Sequence, residues 1–397
     1  MSSPAYPLAL DVTGRRAVVV GGGPVAARRA RRLIDAGAAV YVVAPAVCED
    51  LTDLVASAAV QWQPRDYLTG DLDGAWLVQT ATGDRATDSL VAADAEAARV
   101  WCVRADDAAS SAAWTPSVAR AGDVTVAVTA GGDPARARTL RDAVALALDT
   151  GSLPLRRHRR GTGTVALVGG GPGDPGLITT RGRRLLAEAD VVLVDRLAPR
   201  ALLAELDPEV LVVDVGKTAG HHPLPQDEIN RLLVEHAQAG RHVVRLKGGD
   251  PFVLGRGGEE ALACVAAGVP VEVVPGVTSA VAVPAAAGIP VTHRGRSRQV
   301  TIASGHEGLD WATLAPLDGT LVLLMGVSGL ADATRELVAH GKPAATPVAV
   351  VESGFTDRQR TTTGTLESIA RLAEERGVQP PAVVVIGDVV DLHELLG

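Results

Sequence analysis

Charged and glycine-rich segments follow four strand-like apolar runs in the second part of the chain. The runs and the residues after them are 165–168 with 169–176, 191–194 with Asp195, 210–213 with Lys217, and 242–246 with 247–251. If these strands are parallel, their carboxyl ends meet at one edge of a sheet, where such sheets bind ligands. A carboxylate and a lysine there can move protons, and the glycines let the backbone face a ligand.

Lysine is rare in this chain. Of 38 Lys and Arg residues, only Lys217, Lys247 and Lys342 are lysines. An arginine stays protonated at any working pH, whereas a lysine can donate and regain a proton when its surroundings lower its pKa. Lys217 is therefore a candidate acid–base residue. We expect Lys247 to position the adjacent glycine turn and Lys342 to be an ordinary loop residue.

The first part of the chain carries a nucleotide-binding pattern. A strand-like run, 17–20, leads into GGGPVA, 21–26, and then into a helical pattern, 27–36. This GxGxxA spacing permits a tight turn, and the helix N-terminus attracts a pyrophosphate. It predicts dinucleotide binding, with a glycine turn that only packs as the alternative. The second strand ends in Pro45 and Ala46 rather than in a carboxylate, so backbone groups would have to hold a ribose.

Asp106 follows a further strand-like run, 100–103, at the same kind of sheet edge. A carboxylate there can act as a general base. The alternative for an aspartate between a strand and a loop is a structural role in the turn.

The composition is typical of a globular protein: 397 residues, of which 47% are hydrophobic and 21% charged. Three cysteines without a CxxC pair and nine histidines without a ligand-like spacing predict neither disulfides nor a metal centre. A net charge of −8 and the lack of a long apolar segment predict no nucleic-acid or membrane partner. We expect a soluble protein of the cytoplasm.

Strand-like runs alternate with amphipathic segments, which predicts an α/β fold with largely parallel sheets. The remaining runs are 40–43, 76–79, 124–128, 271–274, 300–303, 320–325, 347–351 and 382–386. The segment GSLPLRRHRRGTG, 151–163, breaks the pattern and predicts a linker, with an anion-binding strip as the alternative. We expect a Rossmann-like domain at 1–150 and a two-lobed α/β domain at 164–397, with lobes at 164–290 and 291–397.

Several longer motifs resemble a known family. From Thr164 onward the chain contains, in order, VALVGGGPGDPGLIT, VVLVDRL, VGKTAGHH, VVRLKGGDPFVLGRGGEE, VVPGVTSA, GIPVTHRG and LVLLMG. They resemble the uroporphyrinogen III C-methyltransferases of the tetrapyrrole methylase family. The first part, from VVVGGGPVAARRARRLIDAGA to AVTAGGDP, resembles precorrin-2 dehydrogenase/sirohydrochlorin ferrochelatases. The order of the two parts is similar to that in the siroheme synthase family.

The resemblance implies roles for individual residues. Asp195 matches the family's proton acceptor, Lys217 its proton donor, and Asp106 the aspartate used in dehydrogenation and chelation. The implied contacts to S-adenosylmethionine are Pro172, Gly248, Gly249, Asp250, Val253, Thr278, Ser279, Met325 and Gly354. The implied contacts to NAD are Pro24, Val25, Pro45 and Ala46, beside the motif glycines Gly21 and Gly23.

The resemblance also implies a reaction sequence. S-adenosylmethionine would methylate uroporphyrinogen III to precorrin-2, NAD would oxidise precorrin-2 to sirohydrochlorin, and Fe(II) would enter the macrocycle as a substrate. The resemblance further implies a homodimer. The tetrapyrrole carries carboxylates that arginines bind well. Candidate partners for them are Arg181, Arg196, Arg256, Arg294, Arg296 and Arg298.

Two features depart from the family pattern. The fused enzymes carry a helical segment between their two parts that has no counterpart here, and Ala130 stands where they carry a serine. Three hypotheses therefore stay open. The chain is a multifunctional enzyme, or a methyltransferase joined to a non-catalytic NAD- or tetrapyrrole-binding module, or a methylase for a cobalamin-pathway precorrin. Whether the product feeds siroheme or cobalamin also stays open.

Overall fold

The computed structural model describes residues 6–122, 124–153, 155–156, 163–216, 224–306 and 308–397. The chain divides into two compact units, Met1–Ala143 and Val144–Gly397. Within the described ranges, three five-stranded sheets and one two-stranded sheet make up the β-structure.

The first unit contains a five-stranded parallel sheet. Its strands are β1 (Arg16–Val20), β2 (Ala39–Val43), β3 (Val60–Gln63), β4 (Leu77–Thr80) and β5 (Trp101–Arg104). They lie in the order β3-β2-β1-β4-β5. The connecting helices are α1 (Pro24–Asp35), α2 (Glu49–Ala56) and α3 (Arg85–Ala98). The strand order reverses between β1 and β4, and this switch point is where doubly wound sheets hold ligands.

The strand β1 lies at the centre because it is apolar on both faces. Its sequence is RAVVV, and Val18 and Val19 are fully buried. An unbroken β-branched run of this kind is typical of a parallel strand covered by helices on both sides. The helix α1 buries Ala26, Ala27 and Ala30, whose small side chains let it lie close to the sheet.

A hairpin follows this sheet. The strands β6 (Ser117–Ala121) and β7 (Val124–Val128) pair antiparallel with each other and with no other described strand. The division between the two units falls within the next helix, α4 (Pro134–Asp149). The run at 124–128, which the alternating pattern placed among the parallel strands, therefore lies in this hairpin.

The second unit begins with another five-stranded parallel sheet. Its strands are β8 (Thr164–Gly169), β9 (Val191–Val194), β10 (Leu211–Asp214), β11 (His242–Lys247) and β12 (Val271–Val274). Their order is β10-β9-β11-β8-β12. The helices are α5 (Thr180–Glu188), α6 (Gln226–Gln238), α7 (Gly257–Ala266) and α8 (Ser279–Ala286). All pairs are parallel, so the four strand ends singled out in the sequence do share one edge.

The remaining sheet is mixed. Its strands are β13 (Val300–Ser304), β14 (Thr320–Leu324), β15 (Pro347–Glu352), β16 (Arg360–Thr365) and β17 (Ala382–Ile386), in the order β13-β14-β17-β15-β16. The strands β13 and β14 are parallel, and the other neighbours are antiparallel. The helices are α9 (Trp311–Leu314), α10 (Leu330–Ala339), α11 (Ile369–Glu375) and α12 (His393–Leu396).

The predicted runs correspond to fourteen of these strands, and the α/β fold class is confirmed. The sequence pattern did not predict β3, β6 and β16. These three strands mix polar with apolar residues and lie at a sheet edge or in the hairpin, where one side faces solvent. No helix in the described part of the chain is long and apolar enough to cross a membrane.

The core of the β8–β12 sheet can be tested at Leu193, which is fully buried in β9. We expect Leu193→Ala to lower the free energy of unfolding by roughly 2–5 kcal/mol, because it leaves a cavity between strands and helices. Leu211→Ala on the neighbouring β10 is the matched control, since Leu211 is 46% exposed. Urea unfolding should give a change of less than about 1 kcal/mol for the control. Equal effects of the two substitutions would contradict this packing.

Candidate active sites

Glycine segments meet at the carboxyl edge of the β8–β12 sheet. The Gly249 amide donates to the Gly171 oxygen at 2.7 Å, and the Gly171 amide donates to the Gly249 oxygen at 3.2 Å. A Cβ on Gly276 would lie 2.3 Å from the Gly249 oxygen, and one on Gly169 would lie 2.5 Å from the Gly276 nitrogen. Side chains at these positions would force the backbones apart, so glycine is required for this edge to form.

Asp250 uses its carboxylate within this edge. Its Oδ1 accepts hydrogen bonds from the amides of Phe252 at 2.8 Å and Val253 at 3.1 Å, and its Oδ2 accepts from the Gly276 amide at 3.0 Å. The carboxylate thereby ties the turn after β11 to the segment after β12. A ligand at Gly248, Gly249 and Asp250 would consequently meet mainly backbone groups.

The mixed sheet supplies a second side of the same site. A Cβ on Gly173, in the loop that also holds Pro172, would lie 3.3 Å from the Gly354 oxygen after β15. A Cβ on Gly354 would lie 2.8 Å from the side chain of Val283 in α8. Thr278 caps α8, which begins at Ser279, by accepting from the Ala280 amide. The two lobes of this unit therefore meet where the predicted contacts gather.

Several residues with left-handed backbone conformation lie where the two lobes of the second unit meet. In the second unit, the described non-glycine residues with positive φ are Leu254, Arg256, Met325, Ser353 and Phe355. They coincide with or lie close to the predicted contacts Val253, Met325 and Gly354. Each such conformation costs about 1–3 kcal/mol, and such conformations cluster at functional sites. No sequence pattern predicted them.

A buried charge cluster lies behind Asp195. Arg245, Lys247 and Glu260 are 2%, 4% and 0% exposed. The Oε1 atom of Glu260 accepts from Arg245 Nε at 3.0 Å, from Lys247 Nζ at 3.3 Å and from Gln226 Nε2 at 3.3 Å. Arg245 Nη2 lies 3.7 Å from Asp195 Oδ1, at the end of β9. Two cations are thus balanced by two carboxylates.

Burial lowers the pKa of Lys247, and the Arg245 guanidinium lowers it further, while Glu260 and Asp195 act in the opposite direction. Glu260 lies in the first turn of α7, where the partial positive charge of the helix N-terminus favours a carboxylate. Sequence reasoning treated Lys247 as a residue beside a glycine turn and missed Arg245 and Glu260. The sequence feature that could have identified Arg245 was the segment RLK in a buried strand, because side chains two residues apart on a strand lie on the same face.

The predictions for the other two lysines, Lys217 and Lys342, have different outcomes. Lys217 falls in 217–223, which lies outside the described residues. Lys342 is 8% exposed, and its Nζ donates to the carbonyl oxygens of Ala315 at 3.3 Å and Leu317 at 3.1 Å. The prediction of an ordinary loop residue at Lys342 is therefore wrong, because this side chain satisfies carbonyls after α9.

The GGGPVA loop of the first unit joins β1 to α1, as its spacing predicted. A Cβ on Gly21, whose φ is 126°, would lie 2.3 Å from the Ala81 oxygen. A Cβ on Gly22 would lie 1.8 Å from the Ala46 oxygen, whereas one on Gly23 would meet nothing within 4 Å. Gly23 caps α1 without a side chain, and Pro24 opens the helix. The first-turn amides are therefore free of a side-chain cap, as an anion site requires.

The end of β2 offers backbone rather than a carboxylate. Pro45 and Ala46 are exposed, and Trp62 Nε1 donates to the Ala44 oxygen at 2.9 Å, which holds the strand end in place. Asp50 lies in α2 and pairs with Arg31 at 2.7 Å. A ribose at this edge would meet the backbone of Pro45 and Ala46.

Asp106 lies just after β5, at the carboxyl edge of the first sheet. Arg104 Nε donates to its Oδ1 at 3.0 Å, and Arg104 Nη2 donates to its Oδ2 at 2.7 Å. The hydrogen bonds and charge of Arg104 lower the pKa of Asp106. Asp107 is instead a turn residue, since its Oδ2 accepts from Ser110 Oγ at 2.8 Å.

Sequence reasoning also missed Arg29. From α1, its Nη1 donates to the carbonyl oxygens of Thr80 at 3.2 Å and Val103 at 2.9 Å, near the ends of β4 and β5. Burial lowers the pKa of Arg29. Arg29 therefore secures the sheet edge on which Asp106 lies.

No group of three or more His, Cys, Asp or Glu side chains that could hold a metal ion occurs among the described residues. The candidate arginines Arg181, Arg256 and Arg296 each pair with a carboxylate. The exposed remainder are Arg196, Arg294 and Arg298.

Two family models match the chain. Residues 164–370 match the family described as "Tetrapyrrole (Corrin/Porphyrin) Methylases", and residues 8–117 match the family described as "Putative NAD(P)-binding". A siroheme synthase from Pseudomonas fluorescens is 38% identical over 450 residues, which cover 98% of this chain and 97% of the relative. The chain belongs to the siroheme synthase family. The resemblance seen in its motifs is thereby confirmed.

Relatives of the second part alone are more similar still. An S-adenosyl-L-methionine-dependent uroporphyrinogen III methyltransferase from Methanosarcina barkeri is 54% identical over 242 residues, covering 59% of this chain and 95% of the relative. The solved uroporphyrin-III C-methyl transferase of Thermus thermophilus, complexed with S-adenyl homocysteine, is 44% identical with a TM-score of 0.51. That match covers 58% of this chain and 100% of the solved chain.

One difference within the siroheme synthase family is visible in the alignment. The 450 aligned residues exceed the 397 residues of this chain, so the Pseudomonas fluorescens relative has residues without a counterpart here. In this family member, α4 ends at Asp149 and β8 begins at Thr164. That short connection is compatible with the predicted loss of a helical segment.

The glycine loop of the first unit can be tested with a matched pair. We expect Gly22→Ala to destabilise the first unit by about 1–3 kcal/mol, because the methyl group would overlap the Ala46 oxygen. Gly23→Ala is the control, since its Cβ would meet no atom within 4 Å. Thermal unfolding of both variants measures the difference. A Gly22→Ala variant as stable as Gly23→Ala would contradict the loop geometry.

The buried cluster makes a second prediction. Glu260→Gln should lower the free energy of unfolding by about 3–5 kcal/mol, because it leaves two buried cations short of one carboxylate. The double variant Lys247→Met/Glu260→Gln removes one charge of each sign and should lose less. Glu259→Gln, at the exposed neighbouring position, should stay within about 1 kcal/mol of the parent. Chemical denaturation checks the order, and a double variant less stable than Glu260→Gln would refute charge balance.

Proposed function

We propose that this chain methylates uroporphyrinogen III to precorrin-2 with S-adenosylmethionine and then oxidises precorrin-2 to sirohydrochlorin with NAD. The observation that carries the proposal is the coexistence of two ligand edges in one chain. One is the glycine edge at Gly171 and Gly249, and the other is the GGGPVA loop with Asp106. The named activities of the siroheme synthase and methyltransferase relatives support it. We assign methylation to 164–397 and oxidation to 1–150, joined by 151–163.

In the methylation, S-adenosylmethionine supplies the methyl group. Its adenosine and amino-acid parts would be held largely by backbone, because Gly248, Gly249 and Asp250 present amides and carbonyls and the Asp250 carboxylate is already bonded. The other proposed contacts are Pro172, Val253, Thr278, Ser279, Met325 and Gly354. The close approach of Gly173 to Gly354 supports this set, since it brings the two lobes together.

Methylation of a pyrrole carbon requires the later loss of a ring proton. Asp195 is the proposed acceptor, since it directly follows β9 at the ligand edge and its carboxylate lies 3.7 Å from the Arg245 guanidinium. Lys217 is the proposed donor on the basis of the motif VGKTAGHH. Positioning and proton transfer suffice for this chemistry, because the sulfonium methyl is already activated.

In the oxidation, NAD⁺ accepts a hydride, and the chain must hold the dinucleotide and take up a proton. The uncapped amides of α1 suit the pyrophosphate beside Gly21, Gly23, Pro24 and Val25, and the backbone of Pro45 and Ala46 suits the ribose. Asp106 is the proposed proton acceptor. Chelation, a lyase step, would place Fe(II) as substrate among the macrocycle nitrogens, so it requires no cluster of protein ligands.

A second candidate is a methyltransferase whose first unit binds NAD or a tetrapyrrole without chemistry. One feature favours it: Ala130 stands at the position where the family resemblance implies a serine. A cobalamin-pathway methylase is less well supported. The solved cobalt precorrin-4 methyltransferase is 30% identical, compared with 44% for the uroporphyrin-III enzyme.

We further propose a homodimer that works in the cytoplasm. The hairpin of β6 and β7 supports the dimer, because an isolated two-stranded sheet is marginally stable by itself. The three free cysteines, of which Cys102 and Cys264 are buried, suit a reducing compartment.

A staged assay tests the proposal. The pure protein is incubated with uroporphyrinogen III and S-adenosylmethionine, then with NAD⁺, and then with Fe²⁺, while absorbance is followed. We expect precorrin-2 first, sirohydrochlorin after NAD⁺, and siroheme if chelation is retained. A stop at precorrin-2 despite NAD⁺ would refute the dehydrogenase and favour the second candidate.

Two variants separate the stages. Lys217→Ala should reduce methylation by roughly 10²-fold or more, because it removes a proton donor. Asp106→Ala should leave methylation within about twofold and reduce oxidation by a comparable factor. If both variants impaired only methylation, the division of labour between the two parts would be wrong.

A further inference from the structure

Arg104 and Asp106 form a two-point ion pair at the edge of the first sheet. The Arg104 side chain is 6% exposed, whereas that of Asp106 is 28% exposed. Within the described part of the chain, both hydrogen bonds of the Arg104 guanidinium go to Asp106, at 3.0 Å and 2.7 Å. The buried guanidinium thus ends at a carboxylate that can still be reached from outside. This fork-to-carboxylate geometry fixes direction as well as charge.

Arg85 is the other described charged side chain that acts on Asp106, and its charge lowers the pKa of Asp106 less than Arg104 does. Asp107 is engaged by Ser110, and Arg85 of α3 lies 3.8 Å from Asp107 with a side chain that is 81% exposed. Asp88 of α3 is buried and accepts from the Thr82 hydroxyl at 2.7 Å. Arg29 of α1 is directed at strand-end carbonyls. Among the described groups, Arg104 alone contacts both oxygens of Asp106.

We propose that Arg104 is a positioning residue for the oxidation step: it holds the Asp106 carboxylate in one orientation as the proton acceptor. This inference rests on the proposed dehydrogenase function. In that step, the substrate loses a hydride, with its two electrons, to NAD⁺ and a proton to the Asp106 carboxylate. A carboxylate held through both oxygens keeps a fixed plane, and the remaining lone pair on each oxygen can accept that proton.

The pair also sets how strongly Asp106 binds a proton. Hydrogen bonds and charge from Arg104 lower the pKa of Asp106, and Asp106 in turn raises the pKa of Arg104. Partial burial acts against Arg104 by raising the pKa of Asp106. Without Arg104 the burial effect would remain, so the carboxyl group would bind a proton at higher pH.

The test compares three variants of the full chain. Arg104→Gln removes the charge and the fork, Arg104→Lys keeps a charge but loses the planar fork, and Arg85→Gln removes a nearby exposed charge as the control. The first readout is the carbon-13 carboxyl shift of Asp106, assigned with Asp106→Asn and followed from about pH 7 to about pH 2. Circular dichroism over the same range confirms that each variant stays folded.

We expect the titration of Asp106 to move upward in Arg104→Gln, to move little in Arg104→Lys, and to stay close to the parent in Arg85→Gln. A titration in Arg104→Gln that matches the parent would overturn the proposal. If Arg104→Gln unfolds, Arg104→Lys decides, because the parent-like titration predicted for it requires a cation beside Asp106.

The second readout is oxidation of precorrin-2. Arg104→Lys should lower kcat several-fold while KM stays within about twofold, because the acceptor is ionised but no longer oriented. Combining Arg104→Lys with Asp106→Asn should cost no more than Asp106→Asn alone, since Arg104 acts through Asp106. Additive losses would overturn the positioning role. A parent protein that methylates without oxidising would refute the dehydrogenase, while the carboxyl titration would still decide whether Arg104 controls Asp106.

Discussion

Backbone-to-backbone contact among glycines is the constraint on which the larger unit depends. Gly169, Gly249 and Gly276 lie so close that a Cβ on Gly169 or on Gly276 would meet a neighbouring backbone atom at 2.5 Å or 2.3 Å. The contact joins the ends of β8, β11 and β12 into one edge. The hydrogen bond from the Gly276 amide to the Asp250 carboxylate stabilises this edge. With the strand ends fixed in this way, the Gly173 loop can reach Gly354 of the mixed sheet. The proposed S-adenosylmethionine site follows from that geometry.

Both proposed proton acceptors lie beside a buried arginine. Asp195 lies near Arg245, which donates a hydrogen bond to Glu260. Asp106 accepts hydrogen bonds directly from Arg104. The difference has a physical consequence. Arg245 shares its charge between two carboxylates, so Asp195 belongs to a balanced cluster. The Arg104 guanidinium, in contrast, forms both of its described hydrogen bonds with Asp106. In the second unit the orientation of Asp195 therefore depends on the whole cluster. In the first unit the orientation of Asp106 depends on Arg104.

The regular part of the fold could be predicted from apolar runs. Buried parallel strands such as β1 and β9 are unbroken β-branched segments, because both their faces are covered. The strands β3 and β16 were not predicted because their sequences, VQWQ and RTTTGT, are largely polar. Strands at a sheet edge such as these are partly exposed and need no continuous apolar run. The pairing of β6 with β7 was not predicted for another reason: the propensity of a segment to form a strand does not determine which strand it pairs with.

The sequence by itself determined the family, the two kinds of ligand loop and the order of the two parts, because glycine spacing and strand-end residues are local features that motifs record. Tertiary structure decided which side chains act together. Arg245 and Lys247 meet Glu260 because their side chains reach from β11 to the first turn of α7, and Lys342 is buried because carbonyls after α9 require a donor. Such contacts join residues far apart in the chain, and burial decides how strongly their charges interact.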